Sequence, residues 1–476
     1  MPTYRFLHQP TVVEWLASYH STTDGTNADY SLSSAQQAIV LMVLATAIFF
    51  QADDKAGVSE PYLRAAEMKL AQETGKVRLE SVQARLAICI YLLHTSRPNQ
   101  AWYTFGTTAQ LIQALGMHRA RASSGHQLDT IITECRKRTF WAASTLDAYL
   151  SCLLGRPPLI NIDDVDQQFP AAADDDLITA GGVEANSLHR DPVIQGSIYH
   201  AKITCIVKKA LREQYSVTKH PDAHKAKVAA RLNGELKEWK ASLPVILSGV
   251  VHPSSLIQVF QRQIAVLEMA DSLALIMVNR PLLLVDASVE NRSSVRVCLS
   301  AASTILNTAP GFVANRPTLP AFWFTQFVTF NALSIIYVWL IQRWRGRLPS
   351  LETPLTDNEL YDKAETMQKH LADASQANAP NLRYSILLEE LQQEAGRLIG
   401  KHTDARQASD STHAPKEGYP DAAAVSTLED SVFNHQTDTT SLVSLSGDDC
   451  FESDIFLQLD SFPFPDFDLE ALGEIV

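Results

Sequence analysis

Three acids in a row of four, Asp163-Asp164-Val165-Asp166, are the residues whose types and spacing point most directly to chemistry. Close carboxylates can hold Mg²⁺, and through it a diphosphate, because a hard cation needs several oxygens converging on it. The terpene-cyclase version of that chemistry needs a second motif of the Asn-Asp-x-x-Ser-x-x-x-Glu kind, and the sequence has none. The acids sit among prolines and glycines, so a solvated acidic loop is the expectation. Arg136-Lys137-Arg138 places three cations together, and such a run can touch phosphates. On a helix, neighbours about 100° apart fan across the surface, and no recognition helix or interleaved aromatics accompany them. A solvated face with ion pairs to Glu134 or Asp129 is expected instead. Arg156-Pro157-Pro158-Leu159 and Arg280-Pro281-Leu282-Leu283 share an Arg-Pro-apolar pattern at the end of a long apolar helix. Proline cannot continue a helix and arginine can bond its last carbonyls, so capping explains both better than an anion clamp.

The sequence contains no G-x-S-x-G, H-E-x-x-H, Walker loop or G-x-G-x-x-G, and its 14 histidines do not cluster at metal-ligand spacing. An enzyme is therefore not expected, and no catalytic, cofactor-binding or metal-ligating residue is assigned. Cys89, Cys135, Cys152, Cys205, Cys298 and Cys450 never fall within three residues of one another, so there is no C-x-x-C half-site. Scattered cysteines on apolar segments read as reduced thiols of the cytosol or nucleus.

Helices must position all of these residues. Val82, Leu86, Ile90 and Leu93 form one stripe at helical spacing; Trp102, Phe105, Ala109, Ile112 and Leu115 form the next, closed by Gly116. A third helix is expected after Ser123-Ser124-Gly125, with Leu128, Ile131, Cys135, Trp141 and Leu146 inward and Gly155-Arg156-Pro157-Pro158 as its stop. Short polar joints between them imply antiparallel packing. Ala38 to Phe50, the most apolar run, is too short to span a bilayer and suits a buried helix, with Ser31, Ser33 and Ser34 as N-cap candidates. Residues 156–195 form a loop-rich insert, and an internal seam is expected near 171–195. Helical patterns resume around 196–217, 223–242, 255–279, 291–309, 322–345 and 355–400. No strand is expected, and the fold class is all-α.

The chain has 476 residues and a net charge of −13. From Lys401 onward there are 3 basic and 16 acidic residues, so the whole imbalance lies in the tail and the first 400 residues are neutral. Residues 401–447 are rich in Ser, Thr, Asp, Gln, Ala and Pro. They lose hydrophobic periodicity, which predicts a disordered linker. In 448–476, acids alternate with large apolar groups. Phe451, Ile455, Phe456 and Leu459 can share a helix face, and Phe462, Phe464 and Phe467 follow between prolines. Acids keep such aromatics soluble until a partner groove buries them, the pattern of an acidic activation segment.

The stretch from Ala101 to Pro170 resembles the fungal-specific transcription factor domain, the middle regulatory region of fungal zinc-cluster regulators. The shared elements are Trp102, Gly106, Arg136-Lys137-Arg138-Thr139-Phe140-Trp141, Asp147, Gly155-Arg156-Pro157 and Pro170. YRFLHQPTVVEWL and SVQARLAICIYLL upstream, and Arg280-Pro281 and RYSILLEEL downstream, extend the likeness over most of residues 1–400. The resemblance implies a helical regulatory domain working in the nucleus, with control of RNA polymerase II transcription. Its partners would be a coactivator or the transcription machinery, met through residues 448–476, and a second regulator subunit in a homo- or hetero-dimer. The family usually carries an N-terminal zinc cluster of six close cysteines, or sometimes paired Cys₂His₂ fingers. Residues 1–88 hold no cysteine, so no zinc site is expected in this chain. DNA contact would then come from a missing N-terminal head or from a partner. Two other readings compete: a headless protein that sequesters a related full-length regulator, and an all-α Mg²⁺-dependent enzyme using Asp163.

Overall fold

The computed structural model describes residues 3–411 apart from 24–31, 51–56, 74, 76, 121–128, 185–189, 284–288, 310–322, 346–355 and 376–381. The expected activation segment 448–476 lies outside the described residues, as does the expected linker beyond residue 411. So do the Ser123-Ser124-Gly125 helix start and Leu128. Among the described residues the fold is all-α, with thirteen helices.

The first half is built from α1 (Gln9–Thr23), α2 (Ser34–Phe50), α3 (Glu60–Ala71), α4 (Leu79–His94), α5 (Pro98–Ala114) and α6 (Thr130–Leu154). Local chemistry starts and stops them. Ser33 and Gln36 make a reciprocal capping box at α2: the Ser33 N–H donates to Gln36 Oε1 at 2.9 Å and the Gln36 N–H to Ser33 Oγ at 3.4 Å. Pro61 and Pro98 occupy first turns, where a missing N–H costs nothing. The α5 helix closes at Gly116, whose φ of 61° is left-handed, with Met117 N–H donating to Ile112 at 3.0 Å. Asp129 caps α6 by accepting from Ile131 N–H at 2.8 Å. Gly155, at φ 62°, ends it and lets Arg156 N–H reach Ser151 at 3.2 Å.

The second half comprises α7 (Gln195–Gln214), α8 (Asp222–Ala241), α9 (Gln258–Asn279), α10 (Val289–Thr308), α11 (Trp323–Trp344), α12 (Asp357–Ser375) and α13 (Leu382–Ser411). Helices pack largely in chain order. The α2 helix lies on α3 and α4, α4 on α5 and α6, α6 on α7, α7 on α8 and α9, α9 on α10, α10 on α11, and α11 on α12 and α13. The predicted stripes face inward: Val82, Leu86, Phe105, Ile112 and Leu146 are fully buried. One continuous apolar core runs from Tyr4 to Ala395.

Two differences from the sequence reading stand out. The 156–195 insert contains a two-stranded antiparallel hairpin, Ile178–Thr179 with Gly182–Val183, which is too short to leave a periodicity signal. The last helix continues to Ser411, so the boundary expected at 400 falls inside α13. Ala405, Arg406, Gln407 and Ala408 are good helix formers, and propensity carries the backbone on after the apolar stripe has ended. The helix longest in apolar residues is α11, which by length and composition could cross a membrane. In the fold 94% of its most apolar window is buried inside the protein, which marks it as a core helix.

Candidate functional site

The polar side chains with most structural consequence converge where α6, α7 and the 156–195 loop meet. The centre is Asp147, on the inward face of α6 and only 2% exposed. Its Oδ1 accepts from the Leu159 N–H at 2.9 Å and its Oδ2 from the Ile160 N–H at 3.0 Å. Lys208 of α7 completes the set, donating to Asp147 Oδ2 at 2.8 Å, to Ser144 Oγ at 3.1 Å and to the Ile160 carbonyl at 3.1 Å. A buried ion pair is tolerated when its remaining bonding capacity is used, and here both partners are saturated. The pair clamps the segment after Gly155 between two helices. Described residues at and beside the expected seam near 171–195 are hydrogen-bonded to α6 and to one another. Ala171 N–H donates to Glu134 at 2.8 Å, Trp141 Nε1 to the Gln168 carbonyl at 2.9 Å, and Val193 N–H to Asp174 at 2.8 Å. The Trp141 ring stacks on Phe169 with centroids 4.1 Å apart.

Arg136, Lys137 and Arg138 do not form the solvated face expected of them. Lys137 does pair with Glu134, at 2.8 Å. Arg136 and Arg138 are buried, and that reading of them is corrected. Arg136 donates to the Leu115 carbonyl at 2.8 Å, near the end of α5. Arg138 pairs with Asp175 and donates to the Ala173 carbonyl at 2.9 Å. Burial works to raise the Asp175 carboxyl, but hydrogen bonds from Arg138 and the Gln9 N–H, with the Arg138 charge, hold it below the ordinary range. Through Asp175 the loop also holds the N-terminal segment: Gln9 N–H donates to Asp175 Oδ2 at 2.8 Å and His8 Nε2 lies 3.1 Å from the Asp175 carbonyl.

The Arg-Pro pairs also behave differently from simple caps. The Arg156 guanidinium lies 4.3 Å from the centre of the Trp102 ring and donates to Asn99 at 3.3 Å. The Arg280 guanidinium, largely buried, lies 5.2 Å from the Tyr215 ring. Flat, weakly hydrated guanidinium groups stack well on aromatic faces, so Arg156 anchors the end of α6 to Trp102 of α5, and Arg280 anchors the end of α9 to Tyr215 just past α7. The acids of the 163–166 loop have separate partners. Asp163 pairs with Arg212, Asp164 accepts from Asn161 at 3.1 Å, and Asp166 pairs with Arg119 at 3.2 Å. Among the described residues no group of three or more His, Cys, Asp or Glu could hold a metal ion. Burial pushes the thiols of Cys89, Cys135, Cys152 and Cys298 up to about 12, so they are inert at neutral pH.

Below the seam lies a group that sequence reasoning missed. Tyr149 OH and His200 Nε2 are 2.8 Å apart in the core. Burial drives the His200 pKa down to about 3, so the ring is neutral and shares one hydrogen bond with the Tyr149 hydroxyl.

Comparison with known proteins fits this architecture. The chain is 23% identical to "Activator of stress genes 1" of Saccharomyces cerevisiae over 72% of this chain and 36% of that protein. It is 29% identical to an "ABC-transporter-regulating transcription factor" of Aspergillus oryzae over 43% of this chain and 22% of that one. It is 31% identical to "Transcriptional activator protein acu-15" of Neurospora crassa over 30% of this chain and 15% of the relative. The chain thus spans only about a third or less of the length of these curated relatives. No solved structure matches it. The model of the fungal specific transcription factor domain matches residues 1–241, which hold α1 to α8 and the entire polar seam, and the chain belongs to that family.

Proposed function

We propose that the chain is a regulator of RNA polymerase II transcription acting in the nucleus of a fungus. The helical body is its regulatory domain, and residues 448–476 are its activation segment. The observation that carries this reading is family membership over residues 1–241, in which the residues that drew attention as chemistry are spent on structure. Arg138, Asp147, Asp163 and Asp166 each have a protein partner that explains them, so no reaction is assigned to the body. Relatives named as activators and transcription factors support the same role. The tail supplies what a coactivator groove would bind: eight large apolar residues from Phe451 to Phe467 among acids, with no Lys or Arg after Lys416.

DNA contact comes from a zinc-binding module outside these residues or from a partner subunit, and this chain itself needs no metal. The test fuses the chain to an unrelated DNA-binding module upstream of a reporter. The chain should activate, and removing residues 448–476 should abolish activation. Equal reporter output with and without that segment would refute its role.

A further inference from the structure

Residues 3–8 cross the body as a strap with no helix or strand of their own. Tyr4, Phe6 and His8 are buried, while Arg5 and Leu7 between them are half-buried, the alternation of an extended segment lying on a surface. Two fastenings hold it. The Phe6 carbonyl accepts from Gln83 Nε2 of α4 at 3.0 Å and from Thr139 Oγ1 of α6 at 3.5 Å. At the far end the Gln9 N–H donates to Asp175 Oδ2 at 2.8 Å, and His8 Nε2 lies 3.1 Å from the Asp175 carbonyl.

The seat around these fastenings is poor in bonds. Tyr4 OH and Arg5 Nε are buried without a hydrogen-bond partner among the described residues, and so are Arg138 Nε, Ser197 Oγ and His200 Nδ1 on the surface beneath. Arg5, Arg138 and Ser197 line one small gap with room for about one water, which can serve those three donors. Tyr4 and His200 do not line that gap. Their rings meet edge to face, with centroids 6.0 Å apart, and Tyr4 OH and His200 Nδ1 stay unbonded. Buried polar groups left unbonded regain water when a segment lifts, which offsets part of the apolar burial lost at Tyr4 and Phe6. The bonds that hold the body together do not pass through the strap: Asp147–Lys208, Trp141–Gln168 and Arg138–Asp175 join residues of the body to one another.

We propose that residues 3–8 are a strap that opens and closes as a unit while the helical body stays folded, with the bond from the Gln9 N–H to Asp175 as its latch. Opening uncovers the strip of α6 and α7 around Ala142, Thr145 and Ile198, which lies beside Thr3 and Arg5 in the closed state. Asp175 keeps its Arg138 partner when the strap leaves, so no buried charge is stranded by opening. Local opening of this kind costs less than global unfolding because few contacts are given up.

The test is brief trypsin digestion of the full chain, with and without low urea, reading the initial rate of cleavage after Arg5 in the strap against that after Arg138 in α6. Each rate is divided by that of the matching free peptide. Cleavage after Arg5 should be about a hundredfold or more faster and change little with urea, because opening the strap exposes little surface. Cleavage after Arg138 needs the body to unfold and should rise steeply with urea. Gln9→Pro deletes the latching N–H, keeps the Arg138–Asp175 pair and suits the first turn of α1, so it should fold. It should speed cleavage after Arg5 about tenfold or more, the loss expected for one charge-assisted hydrogen bond. Tyr4→Phe removes an unbonded hydroxyl and should slow that cleavage about threefold or more. Cleavage after Arg5 that tracks cleavage after Arg138 in rate and urea dependence would overturn the proposal. An unchanged rate in Gln9→Pro would overturn the latch, and an equal or faster rate in Tyr4→Phe would overturn the unbonded seat.

Discussion

Two long core helices, α6 and α11, are buried to a similar degree by different means. The α6 helix takes Glu134, Arg136, Arg138 and Asp147 inside with it, and every one is met by a partner from another element. The α11 helix buries an unbroken run from Gln326 to Ile341 with no charged residue in it. Its polar groups turn back on their own helix, as Asn331 Nδ2 to the Phe327 carbonyl and Ser334 Oγ to the Phe330 carbonyl, both at 2.8 Å. Others, such as Tyr337 OH and Trp339 Nε1, have no hydrogen-bond partner among the described residues. Directional bonds permit one register and one loop path, whereas apolar volume permits any packing that fills space. The half of the chain that matches the family model is the half that contains α6.

The largest expected effect breaks the α6 side of this contrast. Asp147→Ala strands the Lys208 ammonium in the core and leaves the Leu159 and Ile160 N–H groups unpaired, so unfolding in urea should show a loss of about 3–5 kcal/mol. The pair Asp147→Leu with Lys208→Met removes both charges and should recover much of that loss. On the α11 side, Leu333→Ala, at a fully buried position, should cost about 3 kcal/mol through transfer and cavity terms. No second substitution should restore it except one that refills the space.

A pH profile sharpens the comparison further. The folded His200 pKa of about 3 lies below the ordinary value of 6.5, so the unfolded chain takes up the proton first. Stability from this group is complete above 6.5, falls as pH drops toward 3, and is then lost. Between pH 7.5 and 5 the decline should be about 2 kcal/mol, and His200→Phe should flatten that part of the curve. Gly155→Ala forces a Cβ into the left-handed conformation that ends α6 and should cost about 1–2 kcal/mol. Asp163→Ala serves as the exposed control. Its pair with Arg212 is half in water, so the loss should be at most about 0.5 kcal/mol, and Mg²⁺ should not change the melting temperature.

The helical stripes were legible because burial writes itself into sequence at a 3.6-residue period, as at Val82, Leu86 and Ile90. The Lys137–Glu134 pair was legible because both residues lie on one helix. The fate of Arg136 and Arg138 was not, because their acceptors come from α5 and from the loop around Asp175, remote in sequence. A usable signal existed for the clamp. Asp147 stands one residue from Leu146 on the inward face of an apolar helix, and Lys208 falls in register with Ala201 and Thr204 on α7. A lone charge on a buried stripe demands an opposite charge on another buried stripe. The aromatic anchors of Arg156 and Arg280 left no such trace, since capping predicts the same residue types at the same places.

The account rests on α6 being fixed by paired charge. The direct test is a double-mutant cycle on Asp147 and Lys208, with unfolding free energies for Asp147→Ala, Lys208→Ala and both together. A coupling of about 2 kcal/mol or more is predicted, with the double variant more stable than the single losses would sum to. Additive losses, within about 0.5 kcal/mol, would contradict the clamp and leave α6 held by apolar volume as α11 is.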